Sequence, residues 1–144
     1  MSALVGLPAI AEHPWAYPAL EVVHIVGIAL LLGNLVLLEL RVWGAAATLN
    51  LRALARPTLA LSVAGFGLVA LSGLTMFAAN PAELLANRLF VVKLGLISLA
   101  GCNAAWFHGR GGLDRPDALA RAQTVLSLGL WLGAIICGRF IAYV

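Results

Sequence analysis

Four continuous apolar stretches, each about 20 residues long, constrain the fold of this chain more than any other feature. At about 1.5 Å of rise per residue, a helix of that length crosses a hydrocarbon core of about 30 Å. Hydrophobic residues make up 62% of the chain and charged residues only 10%, whereas a soluble domain averages about 25% charged residues. Backbone polar groups find no water inside a bilayer, so a spanning segment is a helix or a strand of a closed barrel. The apolar residues run continuously rather than alternating, which predicts helices.

The predicted fold is all-α: a single integral membrane domain over residues 1–144, built as a four-helix bundle that runs up, down, up and down. Proline, glycine and charged residues bound the apolar stretches. Asn80 and Pro81 follow the second stretch, and Gly109, Gly111 and Gly112 follow the third. The predicted spans cover residues 19–42, 57–79, 88–108 and 124–143.

The arginine residues predict the orientation of the chain. They cluster in or beside the loop between the first and second spans and the loop between the third and fourth, at Arg41, Arg52, Arg56, Arg110, Arg115 and Arg121. Cytoplasmic loops of membrane proteins carry an excess of basic residues. We therefore expect both loops in the cytoplasm and both termini outside, in a bacterial inner membrane. The arginines form no continuous basic stripe, so nucleic acid is not an expected partner.

Ionisable and sulfur-containing residues fall at a similar depth in the outer half of the predicted bundle. Counting residues from the outer ends of the helices places six side chains in this outer layer: Glu21, His24, Met76, Lys93, Cys137 and Arg139. An ionisable group inside a bilayer costs about 3 kcal/mol or more, and it usually faces the bundle interior with a partner or water. The outer layer therefore predicts a functional site.

Simpler interpretations of these residues stay open. His24 can hydrogen-bond to Glu21 one turn away or to a neighbouring helix, and Lys93 and Arg139 can extend towards the lipid headgroups. Met76 and Cys137 can be ordinary core residues.

Two further features concern pairing between helices. Cys102 and Cys137 are expected in opposite halves of the bilayer, which argues against a disulfide. Gly129 and Gly133 form a G-x-x-x-G pair in the fourth span, which fits either a homodimer face or close packing within the bundle.

A thinner polar layer is predicted at the cytoplasmic ends of the helices. Glu39 and Arg41 close the first span, and Asn103 and His108 close the third. His24 and His108 are expected about 20 Å apart along the bilayer normal, so they cannot both ligate one iron. The sequence contains no paired nucleophile and base and no phosphate-binding glycine loop, which argues against a hydrolase or a kinase.

The first span contains Y-P-A-L-E-V-V-H at residues 17–24 and E-L-R at residues 39–41, and the third span contains V-K-L at residues 92–94, followed by Asn103 and His108. This pattern resembles an uncharacterised family of small bacterial four-helix membrane proteins. Members of that family commonly show Y-P-x-L-E-x-x-H, and they have D-L-R where this chain has E-L-R. The resemblance spans most of the chain.

A histidine in the first span combined with V-K-L in the third is also similar, more distantly, to HemJ-type protoporphyrinogen oxidases and to CopD copper-resistance membrane proteins. For the HemJ type, the resemblance implies a b-type haem, with His24 as its ligand and Lys93 nearby. Outside these two positions the chain departs from both groups, so whether it is an enzyme stays open.

Three functions compete. The first is a haem b protein that passes electrons between the quinone pool, or a periplasmic redox protein, and another redox centre. His24 would be its axial ligand, and the residues expected around the cofactor are Glu21, Lys93, Arg88 and Arg139. The second is copper handling, with His24, Met76, Cys137 and His108 as possible ligands. The third is a structural accessory subunit of a membrane complex. The sequence favours haem.

Overall fold

The computed structural model describes residues 12–114 and 117–143, and this part of the chain contains four long helices and no strand. The helices are α1 (Ala16–Val42), α2 (Leu51–Ala79), the short α3 (Pro81–Ala86), α4 (Arg88–Gly109) and α5 (Ala118–Phe140), with a 3-10 turn at Ile141–Tyr143. The predicted all-α, four-helix fold is confirmed. Arg115, one of the arginines used to predict the orientation, lies outside the described residues.

The four long helices are long and apolar enough to cross a membrane. Large apolar side chains lie on their outer surfaces; Val22, Val63 and Leu71, for example, are 60%, 69% and 68% exposed. Contiguous apolar surface on this scale is unusual for a protein in water and normal for one in lipid. The chain is therefore a multi-pass membrane protein.

Three helices begin earlier than predicted: α1 by three residues, at Ala16 rather than at residue 19, and α2 and α5 by about six, because polar residues cap these two. α2 begins at Leu51 rather than at residue 57, and the Asn50 side chain accepts hydrogen bonds from the backbone amides of Arg52 and Ala53. α5 begins at Ala118 rather than at residue 124, and Asp117 caps it. These first turns lie in polar sequence before the apolar stretch, so hydropathy alone does not reveal them.

Glycine ends both helices that run towards the arginine-rich loops. After α1, the amide of Ala45 donates to the carbonyl of Leu40 and the amide of Gly44 donates to Arg41, with Gly44 at φ +100°. This is a Schellman motif, which favours glycine at the left-handed position. Gly111, at φ +71°, occupies the equivalent position after α4, as the glycines there predicted.

The helices pack as two hairpins, α1 with α2 and α4 with α5, and α1 also contacts α5. Aromatic pairs join α2 to the second hairpin. The Phe66 and Trp131 rings meet edge to face with their centroids 6.1 Å apart, and the Phe77 and Phe90 rings stack at 5.7 Å. The two hairpins thus form one bundle whose interior receives side chains from all four long helices.

Candidate functional site

A hydrogen bond joins His24 of α1 to the neighbouring helix α2. Its Nδ1 atom lies 2.9 Å from the hydroxyl oxygen of Ser72. The Ser72 hydroxyl donates to the carbonyl of Leu68 at 2.6 Å, so its oxygen is an acceptor towards the imidazole. In the tautomer that carries its proton on Nδ1, the imidazole donates to Ser72, and Nε2 keeps a lone pair that can bind a metal.

The α2 backbone lies close to the imidazole on the same side. A Cβ atom at Gly73 would lie 3.5 Å from the Cε1 atom of His24, which is van der Waals contact. The ring therefore rests against the turn that contains Ser72 and Gly73. A histidine whose Nδ1 is held in this way has a fixed orientation, which is the usual arrangement of a metal-ligating histidine.

Lys93 reaches the same layer from α4. A Cβ atom at Gly138 would lie only 3.1 Å from the Lys93 ammonium nitrogen, so the ammonium group lies against the glycine surface of α5. Lys93 thus packs against α5 at the residue after Cys137, whereas His24 contacts Ser72 of α2. The grouping of His24, Lys93 and Cys137 in one site stays a prediction.

The other predicted members of the outer layer are more peripheral. Glu21 and Arg88 are exposed, and Met76 is half-buried on α2. Arg139 is also exposed; its guanidinium donates to the Tyr143 hydroxyl at 2.9 Å and lies 5.0 Å from the centre of that ring. Their participation in a site with His24 stays a prediction.

Sequence reasoning did not select Ser72, although it makes the most direct contact with His24. A serine within an apolar helix normally bonds to a carbonyl of its own helix, and Ser72 does so as well. It lies four residues before Met76, so the counting of depth that selected Met76 could also have found Ser72.

A second polar cluster lies at the opposite end of the bundle, beside the arginine-rich loops. It surrounds a cavity of about 50 Å³, whose polar lining consists of Glu39, Asn103, His108, Gln123, Thr124 and Ser127. Five of these residues are more than nine-tenths buried, all except His108; Glu39, Asn103 and Gln123, for example, are 8%, 7% and 3% exposed. Arg41, which the sequence placed in this layer, instead donates to the backbone carbonyl of Leu49 at 2.7 Å.

The arrangement of donors suits a cofactor that needs one axial imidazole. Within the described residues, no group of three or more His, Cys, Asp or Glu side chains is placed to hold a metal ion. A bare copper ion takes several protein ligands, whereas haem iron is held by its porphyrin and needs only one or two. His24, with Nδ1 bonded and Nε2 available, fits a haem ligand. Both cysteines are free thiols.

Comparison with protein-family models, with curated proteins and with solved structures found no match to this chain. The resemblances drawn from the sequence motifs are therefore predictions, and a function has to be inferred from contacts within this chain.

Proposed function

We propose that this chain is a haem b-binding membrane protein in which His24 Nε2 is an axial ligand to the iron. The hydrogen bond between His24 Nδ1 and Ser72 is the observation that carries the proposal. A ligating histidine almost always donates its other ring N–H to an acceptor, which fixes the tautomer and raises the basicity of the ligating nitrogen. With its proton on Nδ1, His24 makes such a bond to Ser72 inside an apolar bundle, where a neutral imidazole is the most readily tolerated of the strong ligands present.

The surroundings of His24 are compatible with the proposed cofactor. Lys93, which is expected at the same depth as His24, would supply a cation, and a cation of this kind attracts the carboxylate groups of haem propionates. Arg88 and Arg139 are exposed near the ends of their helices, where each can also attract a haem propionate. Arg139 would then give up its contact with Tyr143. Met76 of α2, or a group from another helix, would supply a second axial ligand.

The proposed role is electron transfer. Haem supplies one-electron chemistry, and the protein supplies ligation, position and electrostatic surroundings. We propose that the partners are the quinone pool or a periplasmic redox protein, since His24 lies in the half of the bundle away from the arginine-rich loops. This placement assumes a bacterial inner membrane with both termini on the periplasmic side, as the arginine distribution favours.

The proposal is tested by the absorption spectrum of the protein purified in mild detergent from a haem-replete host, with metal analysis of the same sample. A Soret band, together with a reduced α-band that accounts for about one haem per chain, is the expected result. Bound copper without a haem spectrum would favour copper handling instead. A colourless and metal-free protein would favour a structural role in a larger complex.

A further inference from the structure

The cavity at the arginine-rich end of the bundle contains two buried polar atoms that lack a partner among the described residues: the Oδ1 atom of Asn103 and the Nε2 atom of Gln123. The other end of each side chain is held. Asn103 Nδ2 donates to the backbone carbonyl of Gln123 at 2.8 Å, and Arg110 approaches the Gln123 Oε1 atom at 3.5 Å. Flipping the side-chain amide of Asn103 or Gln123 would only swap its oxygen and nitrogen, and one of the two atoms would still lack a partner. The cavity thus presents one unused acceptor and one unused donor.

Water matches this pair of atoms. One water molecule can donate to Asn103 Oδ1 and accept from Gln123 Nε2, and buried waters typically make about three hydrogen bonds to such groups. The cavity of about 50 Å³ exceeds the roughly 10–15 Å³ that one water molecule requires. A metal cation fits less well, because the amide N–H of Gln123 would point at it.

A carboxyl group lines the same cavity. Glu39 of α1 is 8% exposed, and the Ser127 hydroxyl of α5 lines the same cavity, where it can donate to the carboxyl group. The ion pairs formed by the described residues, Arg52 with Asp114 and Arg110 with Asp117, do not include it. A buried carboxylate needs a cation, or several hydrogen bonds, or a proton.

The other titratable group that lines this cavity is His108 of α4. The facing residues of α5 are Thr124 and Ser127, and α2 contributes the apolar Leu59. His108 also lines a larger open cavity of about 780 Å³ between the two arginine-rich loops. It therefore lies between the surface and the inner cavity, and it marks a route from solvent to Glu39.

We propose that the inner cavity is a hydrated proton-binding site, in which Glu39 takes up and releases a proton through water held by Asn103 and Gln123. In uptake, a hydronium ion that arrives past His108 gives its proton to the Glu39 carboxylate, leaving a carboxylic acid and a water molecule. Release is the reverse step. The site is separate from His24 and does not depend on haem binding there.

Infrared spectroscopy of the full chain in lipid nanodiscs tests the proposal, recorded over a pH series in H₂O and again after transfer to D₂O. We expect a carboxylic-acid C=O band that grows as the pH falls and moves to lower frequency promptly in D₂O. Glu39→Gln should remove this band. Glu83→Gln, which changes an exposed glutamate of α3, should leave it in place.

A second variant keeps the test decisive if Glu39→Gln does not fold. Ser127→Ala preserves the Glu39 carboxyl group but removes the hydroxyl that can donate to it, so it should shift the frequency of the carboxylic-acid C=O band. Any one of three results would overturn the proposal: a band that survives Glu39→Gln, a band that is insensitive to pH or slow to exchange in D₂O, or a band that Ser127→Ala leaves unchanged.

Discussion

A Cβ atom at Gly65 of α2 would lie 2.7 Å from the carbonyl oxygen of Gly27 in α1, and one at Gly27 would lie 2.8 Å from the carbonyl oxygen of Gly65. The two helices therefore approach each other so closely at these positions that neither has room for a side chain. Small residues at helix crossings allow this approach in membranes, where dispersion contacts rather than hydrophobic burial hold helices together.

Gly65→Ala is expected to destabilise the bundle by about 1–3 kcal/mol, since overpacking of this size forces backbone shifts. The added methyl group would also lie 2.6 Å from the backbone nitrogen of Leu31, which cannot move without the helix. Unfolding in a series of detergent mixtures measures the effect. Gly67→Ala is the matched control, because nothing lies within 4 Å of its Cβ position. Equal stability of the two variants would contradict the close crossing.

Asp117 is expected to stabilise the start of α5 in a pH-dependent way. Its carboxylate accepts from the Ala120 amide at 2.9 Å and from the Arg110 guanidinium at 2.7 Å, and these two bonds hold the pKa of Asp117 below its ordinary value of 3.8. Because the folded-state pKa is the lower one, the contribution to stability is present above pH 3.8 and is lost as the pH falls through the folded-state pKa.

Unfolding measurements at neutral and acid pH check this expectation. Asp117→Ala should lower the free energy of unfolding at neutral pH, and its difference from the wild type should shrink in acid. Asp117→Asn keeps a cap acceptor but loses the charge facing Arg110, so it should fall between the two. A difference that is independent of pH would refute the assigned role of the carboxylate.

The orientation of the chain is a third prediction. A reporter that is active only in the cytoplasm should be active when inserted after Ala47, in the exposed loop between α1 and α2, and inactive when fused to the C-terminus. The reverse pattern would place the arginine-rich loops outside, and it would move His24 to the cytoplasmic half.

The sequence was sufficient to predict the fold because hydropathy and helix length are strong signals in a membrane chain. The existence of four spans followed from them, whereas the capped first turns of α2 and α5 did not, since Asn50 and Asp117 act through local hydrogen bonds in polar sequence. Counting of depth predicts His24, Lys93 and Cys137 in one layer because rise per residue is nearly constant in a helix, and their grouping in one site stays a prediction.

The remaining details of the site needed coordinates. Counting gives depth but not the direction in which a side chain points, so it could not show that Arg139 contacts Tyr143 or that Arg41 contacts the backbone of Leu49. Nor could it show that Asn103 bonds to Gln123 and that both residues line one cavity. These contacts depend on how each helix is rotated within the bundle.

Ser72→Ala tests the proposed support for the haem ligand. Loss of the acceptor for His24 Nδ1–H should weaken haem binding by about 10–100-fold, the usual effect of removing such a partner. Titration of the haem-free protein with haem measures the affinity. Ser98→Ala is the matched control, since Ser98 is exposed on α4 and bonds to the carbonyl of Leu94 in its own helix. Similar affinities for the two variants would remove Ser72 from the site.

The most direct measurement compares the haem content of the wild type, His24→Ala and His13→Ala, each purified from the same haem-replete host. His13 is exposed before α1, and its Nδ1 atom accepts from the backbone amide of Trp15, so its replacement controls for loss of a histidine in general. The account predicts a Soret absorbance per chain that is lost in His24→Ala and retained in His13→Ala. A colourless wild type, or a His24→Ala protein that keeps its full haem content, would contradict it.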